Sequence, residues 1–171
     1  VYDEVLCGAG RTGKFLAAHY YERAKPDIVI MAKGLSAGYA PLGAVLIPEA
    51  WADWLAERLG FGYTHTYSAH AVSAAAALAV LDIYEEQALA ERACARGAYL
   101  REQLEALQAR SPLVGDVRGK GLLLGLELVA DKATRTIIDS QPSPTDIVRA
   151  RGLEEGLLIY ARRTAGGKYG D

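Results

Sequence analysis

A chain of 171 residues with 51% hydrophobic content can bury a core as one domain or two small lobes, which excludes a disordered segment. Nineteen Lys and Arg against twenty-one Asp and Glu leave a formal charge of -2, too balanced for a nucleic-acid or anionic-membrane footprint. Cys7 and Cys94 are too far apart for paired metal-ligand spacing, and the apolar runs are too short to span a bilayer. The expectation is therefore a soluble, cytoplasmic protein with no metal site.

Val1 to Cys7 reads as a strand running into the glycine-rich turn Gly8-Ala9-Gly10-Arg11-Thr12-Gly13. Lys14 to about Lys25 carries a helical pattern that Pro26 and Asp27 break. Ile28-Val29-Ile30-Met31 is then a continuous apolar run typical of a buried parallel strand. A helix of about 11 residues retreats ~17 Å and about five strand residues advance a similar distance. Asp3 and Lys33 are thus expected to emerge near the same carboxyl edge, where open α/β sheets bind ligands.

Gly34 to Leu42 reads as a loop, and the apolar strand Gly43 to Ile47 follows too soon for a helical crossover, which predicts antiparallel pairing. An amphipathic helix is predicted over Glu49 to Leu59, with Trp51 and Trp54 assigned to packing. Alanine-rich His70 to Glu86 and the charged-face segment Leu89 to Gln108 read as two further helices, the second ended by Ser111-Pro112. Glycines at 115, 119, 121 and 125 within Leu113 to Val129 predict a hairpin of short strands, in a smaller lobe starting near residue 90. Ser143-Pro144-Thr145-Asp146 predicts a capped helix running to Gly156, and Leu157 to Tyr160 a last strand. Val1 is not Met and Gly166 to Asp171 reads as an unfinished turn, so the chain is expected to be part of a longer protein.

The turn after the first strand matches G-x-G-x-x-G, yet the second strand ends Met31-Ala32-Lys33, without the acid that would hold a ribose. Extended through Lys14 it also matches G-x-x-x-x-G-K, but Phe15 replaces the hydroxyl residue that a P-loop needs for magnesium. Both nucleotide readings are disfavoured. Asp3 and Glu4 are adjacent on a strand, point to opposite faces, and cannot readily act as one acid/base pair. By spacing alone, Lys33 reads as a solvated cation in a glycine-rich loop.

Several words in order change that reading: Asp3-Glu4-Val5, Gly8-x-Gly10-Arg11-Thr12-Gly13, Pro26-Asp27-Ile28, Ala32-Lys33-Gly34-Leu35 with Gly38, Pro41-Leu42-Gly43-Ala44-Val45, and Thr66-Tyr67-Ser68-x-His70. Together they resemble the signature of class III pyridoxal-phosphate (PLP)-dependent aminotransferases, over nearly the whole chain. The resemblance implies an α/β fold: part of the fold type I large domain, a mostly parallel sheet with one antiparallel strand, plus most of an α+β small domain. Residues 1–90 would belong to the PLP-binding domain and 91–171 to the small one.

The resemblance also implies roles. Asp3 would pair with the protonated pyridine nitrogen, Val5 pack on one ring face, and Lys33 form the Schiff base and shuttle the substrate proton. Thr66 would hold the cofactor phosphate across a homodimer interface, in the partner's site. Arg162, or its neighbour Arg163, lies near where relatives grip a substrate carboxylate; both are also ordinary surface residues. The family pattern is broken at Ala71, where proline is usual, at Ala69, where glycine is frequent, and at His65, often aromatic; His19 and His70 read as structural.

The activity implied is amino transfer from an amine or ω-amino acid to pyruvate or another 2-oxo acid, with related decarboxylase, racemase or aminomutase chemistry as alternatives. A non-catalytic dimerisation fragment is the competing reading from another class. The family's phosphate-binding cup and second ring-stacking residue lie in an amino-terminal half not contained in this sequence, so the segment alone is expected to be inactive.

Overall fold

In the computed structural model, which describes residues 1–23, 25–60, 62 and 65–161, the first two strands are β1 (Tyr2–Asp3) and β2 (Val29–Met31). They pair in parallel, Tyr2 opposite Val29 and Asp3 opposite Ile30. The third strand, β3 (Ala44–Leu46), pairs antiparallel with β2, Met31 opposite Ala44. β2 is therefore central, as its apolar sequence demands: Val29 and Met31 are buried on one face, where Met31 keeps only 2% exposure. The sheet is mixed, with one parallel and one antiparallel pairing, and together with the helices it matches the expected α/β class.

The crossover between β1 and β2 differs from expectation. Lys14 to Lys25 is not an α-helix; the described residues there form turns and one 3-10 turn, Ala17–Tyr20. Gly13 at φ +92° and the extended Leu16 (φ -115°, ψ 137°) break the helical path before a first turn can close. The glycine-rich run consequently opens no α-helix, and the anion-binding helix N-terminus required by either nucleotide reading does not form.

Three long helices follow: α1 (Glu49–Leu59), α2 (Ala71–Glu86) and α3 (Leu89–Arg110). Gly60, at φ +60°, closes α1 with its N–H on the Ala56 carbonyl, the usual glycine stop. Trp51 and Trp54 remain about half exposed at 46% and 51%, the Arg58 guanidinium lying 5.4 Å from the Trp54 ring. Among the described residues α1 buries none of its own, so the packing expected of its tryptophans is not made here. α2 packs against the 3-10 turn Lys33–Ser36, burying Ser73 and Ala77 one helical turn apart.

The chain divides into two compact units, with the division inside α3 between Ala98 and Tyr99. The first comprises Val1–Ala98 with Lys120–Leu123; the second comprises Tyr99–Gly119 and Leu124–Asp171. In the first, Leu122 donates its N–H to the Arg11 carbonyl at 3.0 Å, and Gly121, at φ +55°, lies directly on the Thr12 backbone. In the second, strands β4 (Val114–Lys120) and β5 (Leu123–Leu128) carry buried Val114 and Val117 on the former, next to Val129. The Arg101 guanidinium donates to the carbonyls of Val117 and Gly119, and Gln108 to that of Gly115. Helix α4 (Pro144–Glu154) starts as predicted, Ser143 Oγ accepting the Asp146 N–H at 3.2 Å. Leu157 to Tyr160 forms no strand, because these residues find no strand partner among the described ones; Leu158 and Tyr160 are 86% and 89% exposed.

Gly121 should tolerate no side chain, since a Cβ would meet the Thr12 backbone and the positive φ is costly for any L-residue. Gly121→Ala is expected to destabilise the protein by about 2 kcal/mol or more in denaturant unfolding. Gly125→Ala, where nothing lies within 4 Å of the new methyl, should change stability by under about 0.5 kcal/mol.

Candidate active site

Strand alternation separates the two acids at the end of β1. Glu4 shares the buried face with Val29 and Met31 and is 3% exposed, whereas Asp3 shares the other face with Ile30 and is open to solvent. One Asp3 oxygen, Oδ1, accepts the Val5 N–H at 2.9 Å, which orients the carboxylate across the strand end. Glu4 cannot join it. Its Oε1 accepts the Ala18 N–H at 2.7 Å, and its Oε2 accepts the Ala17 N–H and the Cys7 thiol, both at 3.0 Å.

The Glu4 side chain thus caps the 3-10 turn, a structural role the sequence pattern did not assign. Adjacent acids on a strand, one of which must face the core, were the available signal. Cys7 reports the same environment. Burial first, and then the Glu4 carboxylate it bonds to, push its thiol up to about 11, so it remains a proton donor at neutral pH.

Lys33 stands just past the end of β2. The pairing continues from Asp3 through the Glu4 N–H, which donates to the Ile30 carbonyl at 2.8 Å, so the chain leaves both parallel strands at one carboxyl edge. Asp3 and Lys33 therefore share that edge, although turns rather than a helix carry the chain between them. Lys33 adopts φ +41°, in the left-handed region, while the more permissive Gly34 directly follows. Such a conformation costs a non-glycine residue about 1–2 kcal/mol.

The surroundings impose it. Leu35 N–H bonds to the Ala32 carbonyl and Ala37 N–H to that of Gly34, while buried Ser36 donates its hydroxyl to the Ala40 carbonyl at 2.7 Å. Gly34 lies against the glycine-rich turn, since a Cβ on it would stand 3.0 Å from the Ala9 methyl. That close approach, and not a helix N-terminus, is what the small residues of the turn provide.

Thr66 sits in an exposed turn ahead of α2, closed by the Ser68 N–H on the His65 carbonyl and the His65 N–H on Ser68 Oγ. Ala69 holds φ +53°, the conformation that explains a preference for glycine there. His70 Nδ1 accepts the Ser73 N–H and caps α2, the structural role expected of it. Val5 follows the strand at the Asp3 edge. Arg162 and Arg163 lie outside the described residues. Among the described residues no cluster of three or more His, Cys, Asp or Glu could hold a metal ion, and no helix is long and apolar enough to cross a membrane.

A parallel-stranded α/β unit with a carboxylate and a strained lysine at one carboxyl edge has the architecture of the fold type I PLP-dependent transferases. The family model for aminotransferase class III matches residues 1–165, and the chain belongs to that family. It is 39% identical over 165 residues to the diaminobutyrate–2-oxoglutarate transaminase of Halomonas elongata and 40% identical over 164 to the taurine–pyruvate aminotransferase of Bilophila wadsworthia. These alignments cover 94% and 93% of the chain but only 35% of each relative. The solved taurine:2-oxoglutarate aminotransferase of Bifidobacterium kashiwanohense, in complex with PLP and glutamate, superposes with a TM-score of 0.86 at 30% identity, over 94% of this chain and 36% of that one. Class III aminotransferases are PLP-dependent.

Cys7 should react slowly with iodoacetamide in the folded protein. At pH 8 a thiol titrating near 11 is about 0.1% thiolate, against roughly 10–25% for an ordinary cysteine. Mass-spectrometric site mapping is expected to show alkylation at exposed Cys94 first, with the Cys7 rate still rising as pH increases beyond 10.

Proposed function

We propose that the complete protein is a PLP-dependent aminotransferase that moves an amino group from an amine or ω-amino acid to pyruvate or another 2-oxo acid. The observation that carries this reading is the common carboxyl edge of β1 and β2, with Asp3 on one strand end and Lys33 strained beside the other. Amino transfer is favoured over decarboxylation, racemisation or mutase chemistry because relatives that it matches are named as a diaminobutyrate–2-oxoglutarate transaminase and a taurine–pyruvate aminotransferase.

The residues present suit the cofactor. A carboxylate oriented by a backbone N–H complements a protonated pyridine nitrogen, and a lysine held at a strand end is a usable amine. When bound, PLP supplies an electron-withdrawing ring for the carbon that loses its proton. Asp3 keeps the ring nitrogen protonated, since an anion beside it favours the charged form. Lys33 would hold the cofactor through its Nζ amine, and the same amine, when free, would carry a proton to and from the substrate carbon. Val5 covers one ring face with a compact apolar side chain.

Thr66 holds the phosphate in the partner's site of a homodimer, through its hydroxyl and backbone N–H. Arg162 is assigned to the substrate carboxylate. Residues 1–90 form part of the cofactor-binding domain and 91–171 most of the small domain, in a cytoplasmic enzyme. Because the chain spans about a third of its relatives, the activity belongs to the complete protein and not to this segment alone.

Lys33→Ala in the complete protein is expected to abolish the visible absorbance of covalently held cofactor and to lower turnover about a thousandfold or more. Retention of both would refute the assignment. Co-expression of Lys33→Ala with Thr66→Ala tests the shared site. Mixed dimers regain one intact site, and measurable activity, only if Thr66 serves its partner's cofactor; no recovery places Thr66 in its own subunit's site or in none.

A further inference from the structure

Glu4 is tied at every polar group it has. Its N–H donates to the Ile30 carbonyl at 2.8 Å, its carbonyl accepts the Gly8 N–H at 2.9 Å, and its carboxylate accepts Ala17, Ala18 and Cys7. Gly8 is pressed so close that a Cβ there would lie 2.7 Å from the Glu4 carbonyl oxygen. Five hydrogen bonds therefore fix the rotation of β1 about its own axis at residue 4.

Asp3, the last residue of the two-residue strand β1, directly precedes it and faces the opposite side. A strand this short has few ladder bonds of its own to resist twisting, so the direction of the Asp3 carboxylate depends on its neighbour's anchorage. We infer that Glu4 is a positioning residue of the active site: its buried carboxylate, tied to the 3-10 turn amides, holds Asp3 aimed at the cofactor ring nitrogen. This rests on the PLP reading of Asp3 and Lys33.

The complete holoenzyme can test it through a double-mutant cycle. Glu4→Gln keeps the size of the side chain but sets an NH2 group against N–H and S–H donors. It is expected to lower kcat per bound cofactor about 10- to 100-fold, the loss typical when an outer partner stops orienting an active-site ligand, with the KM for the amine donor little changed. Asp3→Asn should lower kcat at least as much. If Glu4 acts through Asp3, the double variant is no slower than Asp3→Asn alone, within about twofold.

A merely structural Glu4 gives other results, each of which overturns the inference. Either Glu4→Gln lowers the melting temperature while kcat per bound cofactor stays at the wild-type value, or the double variant loses the product of the two single factors. Full kcat in Asp3→Asn would sink the cofactor reading itself and this inference with it; a loss there beside an unaffected Glu4→Gln sinks only this one.

Should Glu4→Gln fail to give holoenzyme, Ala17→Pro decides. It deletes one donor to Glu4 at the first position of the 3-10 turn, and Leu16 already has the extended backbone a residue before proline requires. A kcat loss of roughly threefold or more that vanishes in the Asp3→Asn background supports the inference, and an unchanged kcat overturns it.

Discussion

The hydrogen bond from the Glu4 N–H to the Ile30 carbonyl closes a parallel pairing only two residues deep, and the candidate site is assembled from what leaves its carboxyl edge. Residues paired across neighbouring strands share a face, while successive residues along one strand alternate. The register that places Asp3 opposite Ile30 therefore sends Glu4 to the buried side with Val29 and Met31 and leaves Asp3 facing outward. A slip of one residue would exchange the acids, burying the one with a proposed chemical role and exposing the one with five hydrogen bonds. Burial of Glu4 is tolerable because its oxygens meet three donors.

Lys33 shows the complementary device. A left-handed lysine beside an available glycine persists only where neighbouring structure over-determines it, and such strain clusters at functional positions. Here the constraint comes from the Ser36 hydroxyl closing the loop on Ala40, from Gly34 lying on Ala9, and from α2 packed on the turn. The glycine-rich motif contributes through close packing at Ala9, and through the Gly121 contact at Thr12, instead of through an anion-binding helix end.

Elements were legible where local chemistry and packing agree. The Ser143 cap followed by Pro144 and Asp146 marks α4, and the alanine-rich run marks α2 to its last residue. The short loop before β3 predicts its antiparallel direction. Local pattern failed where a distant residue competes for the backbone. From Lys14 onward the periodicity is helical, but the amides of Ala17 and Ala18 are taken by Glu4 and Gly13 turns the chain away. Leu157 to Tyr160 has strand composition without a partner among the described residues, and strand formation requires one.

Residue types and their order were enough to identify the family, and the roles proposed for Asp3, Lys33 and Thr66 follow from that resemblance, since by spacing alone Lys33 reads as a solvated cation. Which of two adjacent acids faces outward, how Lys33 comes to be strained, and what Glu4 holds were settled by pairing register and by hydrogen bonds spanning thirteen and fourteen residues. Those are properties of three-dimensional contact. A sequence window records which groups are available, but the partner that satisfies each buried one is chosen only when distant segments meet.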